Sequence, residues 1–245
     1  MSSTKVALIT GANKGIGLET ARQLAQQGVS VLLGSRDASK GEEAAATLKA
    51  EGLDVTPITI DVTDSETIVA AVKQIEAQYG KLDILINNAG TGDFTQPAST
   101  ETVDEWKRVF ETNVFGLVET TRLFLPLLKM SEAGRIVNLS SILGSVSLAS
   151  DPASPVAGSV GHYASYGASK AAVNMYTVQL ARELELEKSP IKINAAHPGW
   201  VKTDLGGEGA MMEVEDGAKT SVTLALLPED GSNGGYFHLG EALPW

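Results

Sequence analysis

Short apolar runs rich in Val, Ile and Leu recur along this chain, each followed by a longer segment of helical period. That alternation leaves few folds open. Val6–Thr10, Val29–Gly34, Val55–Ile60, Asp83–Ile86, Arg135–Leu139 and Ile191–Ala195 read as buried strands. Ile16–Gln27, Lys40–Glu51, Ser65–Tyr79, Val103–Lys129 and Tyr166–Glu187 read as helices, and a late strand near Tyr236–Leu239 completes the sheet. Asp64 and Thr102 read as helix starts, Thr102 with Glu105 as a capping box, and Pro126 is expected to kink or end the fourth helix. Strand–helix repetition requires right-handed crossovers. The expected class is therefore α/β: a doubly wound parallel sheet of about seven strands with helices on both faces. No repeat or composition shift marks a boundary, so residues 1–245 read as a single domain.

Composition removes several functions. The net charge of −11 argues against nucleic-acid or anionic-membrane partners, because phosphate surfaces call for basic patches. The chain has no cysteine, which excludes disulfides, thiolate metal sites and a Cys nucleophile. His162, His197 and His238 lie far apart in sequence and show no metal-ligand spacing. The apolar run after Lys5 is too short for a signal-peptide core, and no run approaches a membrane span, so a cytoplasmic location is expected.

The first strand runs into Thr10-Gly11-Ala12-Asn13-Lys14-Gly15-Ile16-Gly17 and then a helix. Glycines in such a turn let the backbone approach a pyrophosphate, and the helix N-terminus faces it, as in Rossmann-type dinucleotide sites. The second strand ends in Gly34-Ser35-Arg36-Asp37. An NAD site places a carboxylate near here for the ribose hydroxyls. Small Ser35, cationic Arg36 and Lys14 suit a ribose 2′-phosphate instead, which Arg grips bidentately, while Asp37 is free to cap the next helix. NADPH/NADP+ is the cofactor this predicts.

Tyr166-Gly167-Ala168-Ser169-Lys170 opens the fifth helix, and residues at i and i+4 share one helical face. An ammonium so placed is expected to lower the phenol pKa and ready it for proton exchange. Asn87-Asn88-Ala89-Gly90, Asn138-Leu139-Ser140-Ser141 and Pro198-Gly199-Trp200-Val201-Lys202-Thr203-Asp204 follow the fourth, fifth and sixth strands. In a doubly wound sheet these strand ends meet at the carboxyl edge, where ligands bind. Ser140 and Ser141 alternate in direction, so only one can point into the site.

These motifs, in this order and over almost the whole chain, resemble the short-chain dehydrogenase/reductase family, and within it the carbonyl reductases. The resemblance implies a tetrad of Asn113, Ser141, Tyr166 and Lys170. Tyr166 gives its proton to a carbonyl oxygen that Ser141 holds. Lys170 binds the nicotinamide ribose, and Asn113 kinks its helix and anchors a water. Gly11, Asn13, Lys14, Gly15, Ile16 and Gly17 make up the glycine turn and helix start expected to hold the cofactor, Lys14 on the 2′-phosphate side. By the resemblance further cofactor contacts follow. Asp61 and Val62 border the adenine, and Asn88, Ala89 and Gly90 flank the adenosine. Pro198, Gly199, Val201 and Thr203 lie at the nicotinamide.

The resulting expectation is a reductase that turns a ketone or aldehyde into an alcohol with hydride from NADPH. The alternatives are an alcohol dehydrogenase working oxidatively, an enoyl reductase, or a non-catalytic NADP sensor. The partner is a small-molecule carbonyl compound, and the oligomeric state is monomer or homodimer. Ser145–Gly161, rich in Ser, Pro, Gly and Ala, departs from the family's shortest members and reads as an insertion at the pocket edge or a disordered surface loop. Phe94, Leu143, His162, Trp200, Met211 and Met212 are candidate pocket residues, and Gly206, Gly207 and Gly209 suggest a mobile lid or an ordinary linker.

Overall fold

The computed structural model describes residues 4–159 and 161–245; Met1 to Ser3, which the sequence places in the domain, and Val160 of the insertion lie outside the described residues. In chain order the elements are β1 (Val6–Ile9), α1 (Gly15–Gln26), β2 (Ser30–Ser35), α2 (Ala38–Ala50), β3 (Val55–Thr59), α3 (Ser65–Tyr79), β4 (Ile84–Asn87) and α4 (Val103–Phe110). There follow a π-helical segment (Glu111–Gly116), α5 (Leu117–Lys129), β5 (Arg135–Leu139), α6 (Val146–Ser150), α7 (Ala164–Leu186), β6 (Lys192–Ala196), α8 (Val214–Ala225), β7 (Tyr236–His238) and β8 (Glu241–Ala242).

Among the described residues the strands form one eight-stranded sheet in the order β3-β2-β1-β4-β5-β6-β7-β8. Every pairing is parallel except β7 with β8. The sequence reading is one strand short, because β8 is a two-residue, exposed return that carries no apolar run. Pro57 sits in β3, at one edge of the sheet, where its missing N–H costs no ladder bond on the open side.

Strand alternation divides the core between the two faces. Ala7 and Ile9 of β1 pack with Leu24 of α1, Leu48 of α2 and Leu224 of α8. Val6 and Leu8 pack with Ile68 and Ile75 of α3, Phe124 of α5 and Leu180 and Leu184 of α7. Burial of both faces is what the near-continuous apolar strands require. Asp64 caps α3 through Glu66 N at 2.9 Å and Thr102 caps α4 through Glu105 N at 3.2 Å, as their positions predict.

The expected fourth helix is not one helix. Its middle turn is a π segment, and the α-helix resumes at Leu117 and runs through Pro126 to Lys129. Also absent from the sequence reading is α8, whose period is interrupted by Gly217. No helix among the described residues is long and apolar enough to cross a membrane.

Candidate active site

Parallel pairing sends the carboxyl ends of β1 to β6 to one edge, and every segment singled out in the sequence emerges there. The glycine turn after β1 sits against the loop after β4. Thr10 Oγ1 accepts from the backbone N–H groups of both Asn88 and Ala89 at 3.0 Å, and Asn88 Nδ2 donates to Thr10 O (2.8 Å) and Gly11 O (3.0 Å). Gly17 is demanded by this contact: a Cβ there would stand 2.5 Å from Asn88 Nδ2 and 2.7 Å from Gly11 O. Gly11 and Gly15 hold positive φ angles of 61° and 56°. The N-cap of α1, Lys14, supplies no side-chain cap and its first turn carries no acidic residue, which leaves a helix start suited to an anion.

At the end of β2, Ser35 Oγ is turned inward, accepting from Asp37 N at 3.2 Å and donating to Asp37 O at 2.8 Å. Asp37 caps α2 through Lys40 N at 3.1 Å, so its carboxylate is committed to a helix start. Arg36 is exposed beside it. Lys14 forms an exposed ion pair with Asp204, a partner from the loop after β6 that sequence distance hides. That loop also lays Thr203 on Gly15, whose Cβ position is 3.2 Å from Thr203 Cγ2. Val201 is buried and pairs with Met212, and Asp61 folds back on Thr63 through its N–H (2.9 Å) and hydroxyl (2.8 Å). Val62 packs on the Gly116 backbone.

The tetrad predicted from resemblance comes together here. Asn113, in the π segment, donates to Thr91 O (2.8 Å) and Ser169 Oγ (3.0 Å) and accepts from Thr91 N (2.8 Å). Thr91 and Ser169 were not singled out in the sequence; only Ser169's place between Tyr166 and Lys170 hinted at a role. Gly90 lies beside this cluster, its Cβ position 3.5 Å from Asn113 Oδ1 and 3.7 Å from Lys170 Nζ. Lys170 Nζ donates to Leu139 O at 2.8 Å and stands 5.6 Å from the Tyr166 ring centre.

The two serines divide as alternation requires. Ser140 turns to α7 and donates to Asn174 Oδ1 at 2.5 Å, whereas the Ser141 hydroxyl meets the Tyr166 phenol. The expected lowering of the phenol pKa is not what the geometry gives. Burial pushes Tyr166 up to about 12, against the opposing hydrogen bond with Ser141, and burial brings Lys170 down to about 8. Desolvation disfavours the charged form of each group, the phenolate and the ammonium alike.

The insertion carries structure of its own. Ser145 caps α6 through Leu148 N (3.2 Å), Ser154 Oγ donates to Leu148 O (2.6 Å), and Ser147 N donates to Trp245 O (3.1 Å). Of the candidate pocket residues, Phe94 meets the Tyr166 ring edge-on at 5.0 Å and Met212 packs on Gly199. His162, Trp200 and Met211 are exposed, and Leu143 is half-buried. The glycine-rich segment is fastened by Trp200 Nε1, which donates to Gly206 O at 2.8 Å.

Two histidines distant in sequence do meet: the rings of His197 and His238 lie 4.9 Å apart. Nδ1 of His197 accepts from Ile142 N (3.3 Å) and Gly199 N (3.4 Å). Burial, then the neighbouring His238, pushes His197 down to about 3. The unfolded chain therefore binds a proton below pH 6.5 that the folded chain refuses, and stability falls as pH drops through that window. Going from pH 7 to pH 5 is expected to cost about 2 kcal/mol from this group. His197→Asn keeps an acceptor near Nδ1 and should flatten the slope, as read from urea midpoints at both pH values. Equal slopes in parent and variant would show that other groups carry the acid sensitivity.

Residues 5–213 match the short chain dehydrogenase family. The short-chain dehydrogenase anuI of Penicillium roqueforti is 40% identical over 224 residues, covering 90% of this chain and 88% of that protein. Carbonyl reductase [NADPH] 1 of Mus musculus is 34% identical over 278 residues, covering 100% and 99%. The crystal structure of NADPH-bound carbonyl reductase from chicken fatty liver superposes with a TM-score of 0.86 at 28% identity, over 99% of both chains. With the sheet order, the glycine turn and the Tyr166–Lys170 face all in place, the chain belongs to the short chain dehydrogenase family of oxidoreductases, as a carbonyl-reductase-like member.

Proposed function

We propose that this chain is an NADPH-dependent carbonyl reductase, a single catalytic domain over residues 1–245 that reduces a ketone or aldehyde to an alcohol. The observation that carries this reading is the Ser141–Tyr166 hydroxyl pair, buried at the carboxyl edge of the sheet beside Lys170. The residues present fit a dinucleotide: an uncapped helix start faces the glycine turn, and Gly17 leaves room for backbone approach that a Cβ would fill. Gly11, Asn13, Gly15, Ile16, Gly17, Asp61, Val62, Asn88 to Gly90, Pro198, Gly199, Val201 and Thr203 would hold it, with Lys14, Ser35 and Arg36 at the 2′-phosphate. Two relatives named for or solved with NADPH support that choice.

When bound, the cofactor supplies a hydride to the carbonyl carbon. Ser141 holds the carbonyl oxygen by its hydroxyl, and Tyr166 transfers its phenolic proton to that oxygen, so hydride and proton together complete the alcohol. A phenol held near 12 is protonated throughout the neutral range, which favours reduction over alcohol oxidation at this site. Lys170 keeps a cation one helical turn away, ready for the ribose hydroxyls and for the charge that develops on the departing phenol. A non-catalytic sensor has no use for a buried Ser–Tyr pair, whose desolvation costs stability.

Cofactor choice is testable on its own. Arg36→Asp should weaken NADPH by roughly 10- to 100-fold, the size of a lost charge-assisted contact, and NADH far less. Fluorescence titration of both cofactors against parent and variant reads this directly. A parent that uses NADH as efficiently as NADPH would refute the assignment of Arg36.

A further inference from the structure

We infer that Glu101 is a positioning residue for Tyr166: its carboxylate fastens the first turn of α7 and fixes where the phenol stands. The inference rests on Tyr166 being the proton donor proposed above. The helix that carries Tyr166 and Lys170 begins at Ala164, and its N-cap residue, Tyr163, makes no side-chain cap. The first amides of a helix have no partner within it. Ser165 is fully buried, so water does not serve instead.

The missing cap arrives from 64 residues away. Glu101 Oε2 accepts from Ser165 N at 2.9 Å, and Oε1 accepts from the Ser165 hydroxyl. An anion at this end is also favoured by the helix dipole. Both contacts are made to the residue immediately before Tyr166.

The loop that delivers Glu101 touches Tyr166 directly. It starts at Thr91, bonded through its backbone to Asn113. Gly92 lies flat on the Tyr166 ring, its Cβ position 2.7 Å from Cδ2, and Phe94 meets the ring edge. Ala98 N donates to Gly161 O at 2.7 Å, tying the loop to the end of the insertion. Residues 91–101 thus form a strap across the phenol, and Glu101 is its final fastening. A local cap at position 163 would stabilise the helix equally well but would not hold the strap and the helix in one register.

The test uses the full-length protein and compares Glu101→Ala, Glu101→Gln and Ser165→Ala. Each is measured for kcat and KM with one ketone, for NADPH binding, and for amide hydrogen exchange along the chain. Glu101→Ala should lower kcat about tenfold or more, as small misplacements of a reacting group do, while NADPH binding stays near the parent value. Glu101→Gln keeps one acceptor for Ser165 N–H and should recover most of that loss, with Ser165→Ala between the two. Exchange in 163–170 and in the strap, residues 91–101, should accelerate in Glu101→Ala and remain unchanged elsewhere. Parental kcat in Glu101→Ala would overturn the inference. So would a joint loss of kcat, NADPH binding and exchange protection throughout the chain, which would mark a general packing residue. Should the parent reduce no carbonyl compound, the proton-donor reading fails by itself. The exchange arm then still decides the anchoring: faster exchange confined to 163–170 and the strap supports it, and unchanged exchange overturns it.

Discussion

Tyr166→Phe should cut carbonyl reduction by about 10²–10⁴-fold, the range for losing a positioned acid, and leave NADPH binding almost unaltered. The ring is buried and meets Phe94 edge-on, and the substitution keeps both features. Only the hydroxyl goes, and with it the hydrogen bond to Ser141. Leaving Ser141 with a lone carbonyl oxygen to hold, the variant has polarisation without proton transfer. Single-turnover reduction with pre-bound NADPH separates this from slow product release. Retention of most of the parent rate would remove Tyr166 from the mechanism and bring the enoyl-reductase or sensor readings forward.

Lys170→Met should produce the second large loss, at least about 10²-fold in turnover, and unlike Tyr166→Phe it should also weaken NADPH. Methionine fills the space but leaves Leu139 O, which now accepts at 2.8 Å, without that donor. A buried acceptor so stripped costs about 1–3 kcal/mol, so a lower melting temperature should accompany the kinetic loss. The pH profile is the sharper readout. Burial brings Lys170 down to about 8, so in the parent its ammonium is present below that pH and discharged above it. Reduction should accordingly decline as pH rises through about 8, well before the phenol, held near 12, gives up its proton. Lys170→Met, already uncharged, should lose that decline. A parent profile flat through pH 9, or a variant that keeps the same limb, would assign the titration to another group.

Most of the sheet is legible in the sequence because its strands are buried on both faces and so are written as unbroken apolar runs. Val31 to Leu33 and Ile84 to Ile86 are examples. Strand ends drift by a residue, since Ser35 and Asn87 extend their strands with polar side chains buried by side-chain contacts rather than by hydrophobicity. The helix α8 was harder to see because Gly217 breaks its apolar period; Val201 packs where a side chain would stand. The candidate site was visible as strand-end motifs, for local letters encode local turns. Its cross-links were not. Lys14 with Asp204 joins residues 190 apart, and Asn113 with Ser169 joins residues 56 apart. Spacing along a chain carries no trace of such pairs. The direction of the Tyr166 shift was likewise hidden, because it depends on how much water the finished fold excludes, and the i, i+4 spacing reports only proximity.

The π segment at Glu111–Gly116, besides holding Asn113, sets a constraint on chain length. A π turn holds one residue more than an α turn spanning the same rise, so the segment acts as a frame shift written into a helix. One residue corresponds to about 100° of rotation. The faces of α4 and α5 are therefore indexed from different origins: Val109 points to the core on one count, and Leu117, Phe124 and Leu128 on the other. Deleting a single residue between 111 and 116 would let the helix relax to uniform pitch. It would then turn those three side chains, or Val109, about a quarter of a turn off the sheet. Substitutions in this stretch act on one side chain, whereas a deletion rotates a whole helix face. Asn113 and Gly116 fix letters within this stretch through their own contacts, and the number of residues is fixed besides, by the helix faces on either side.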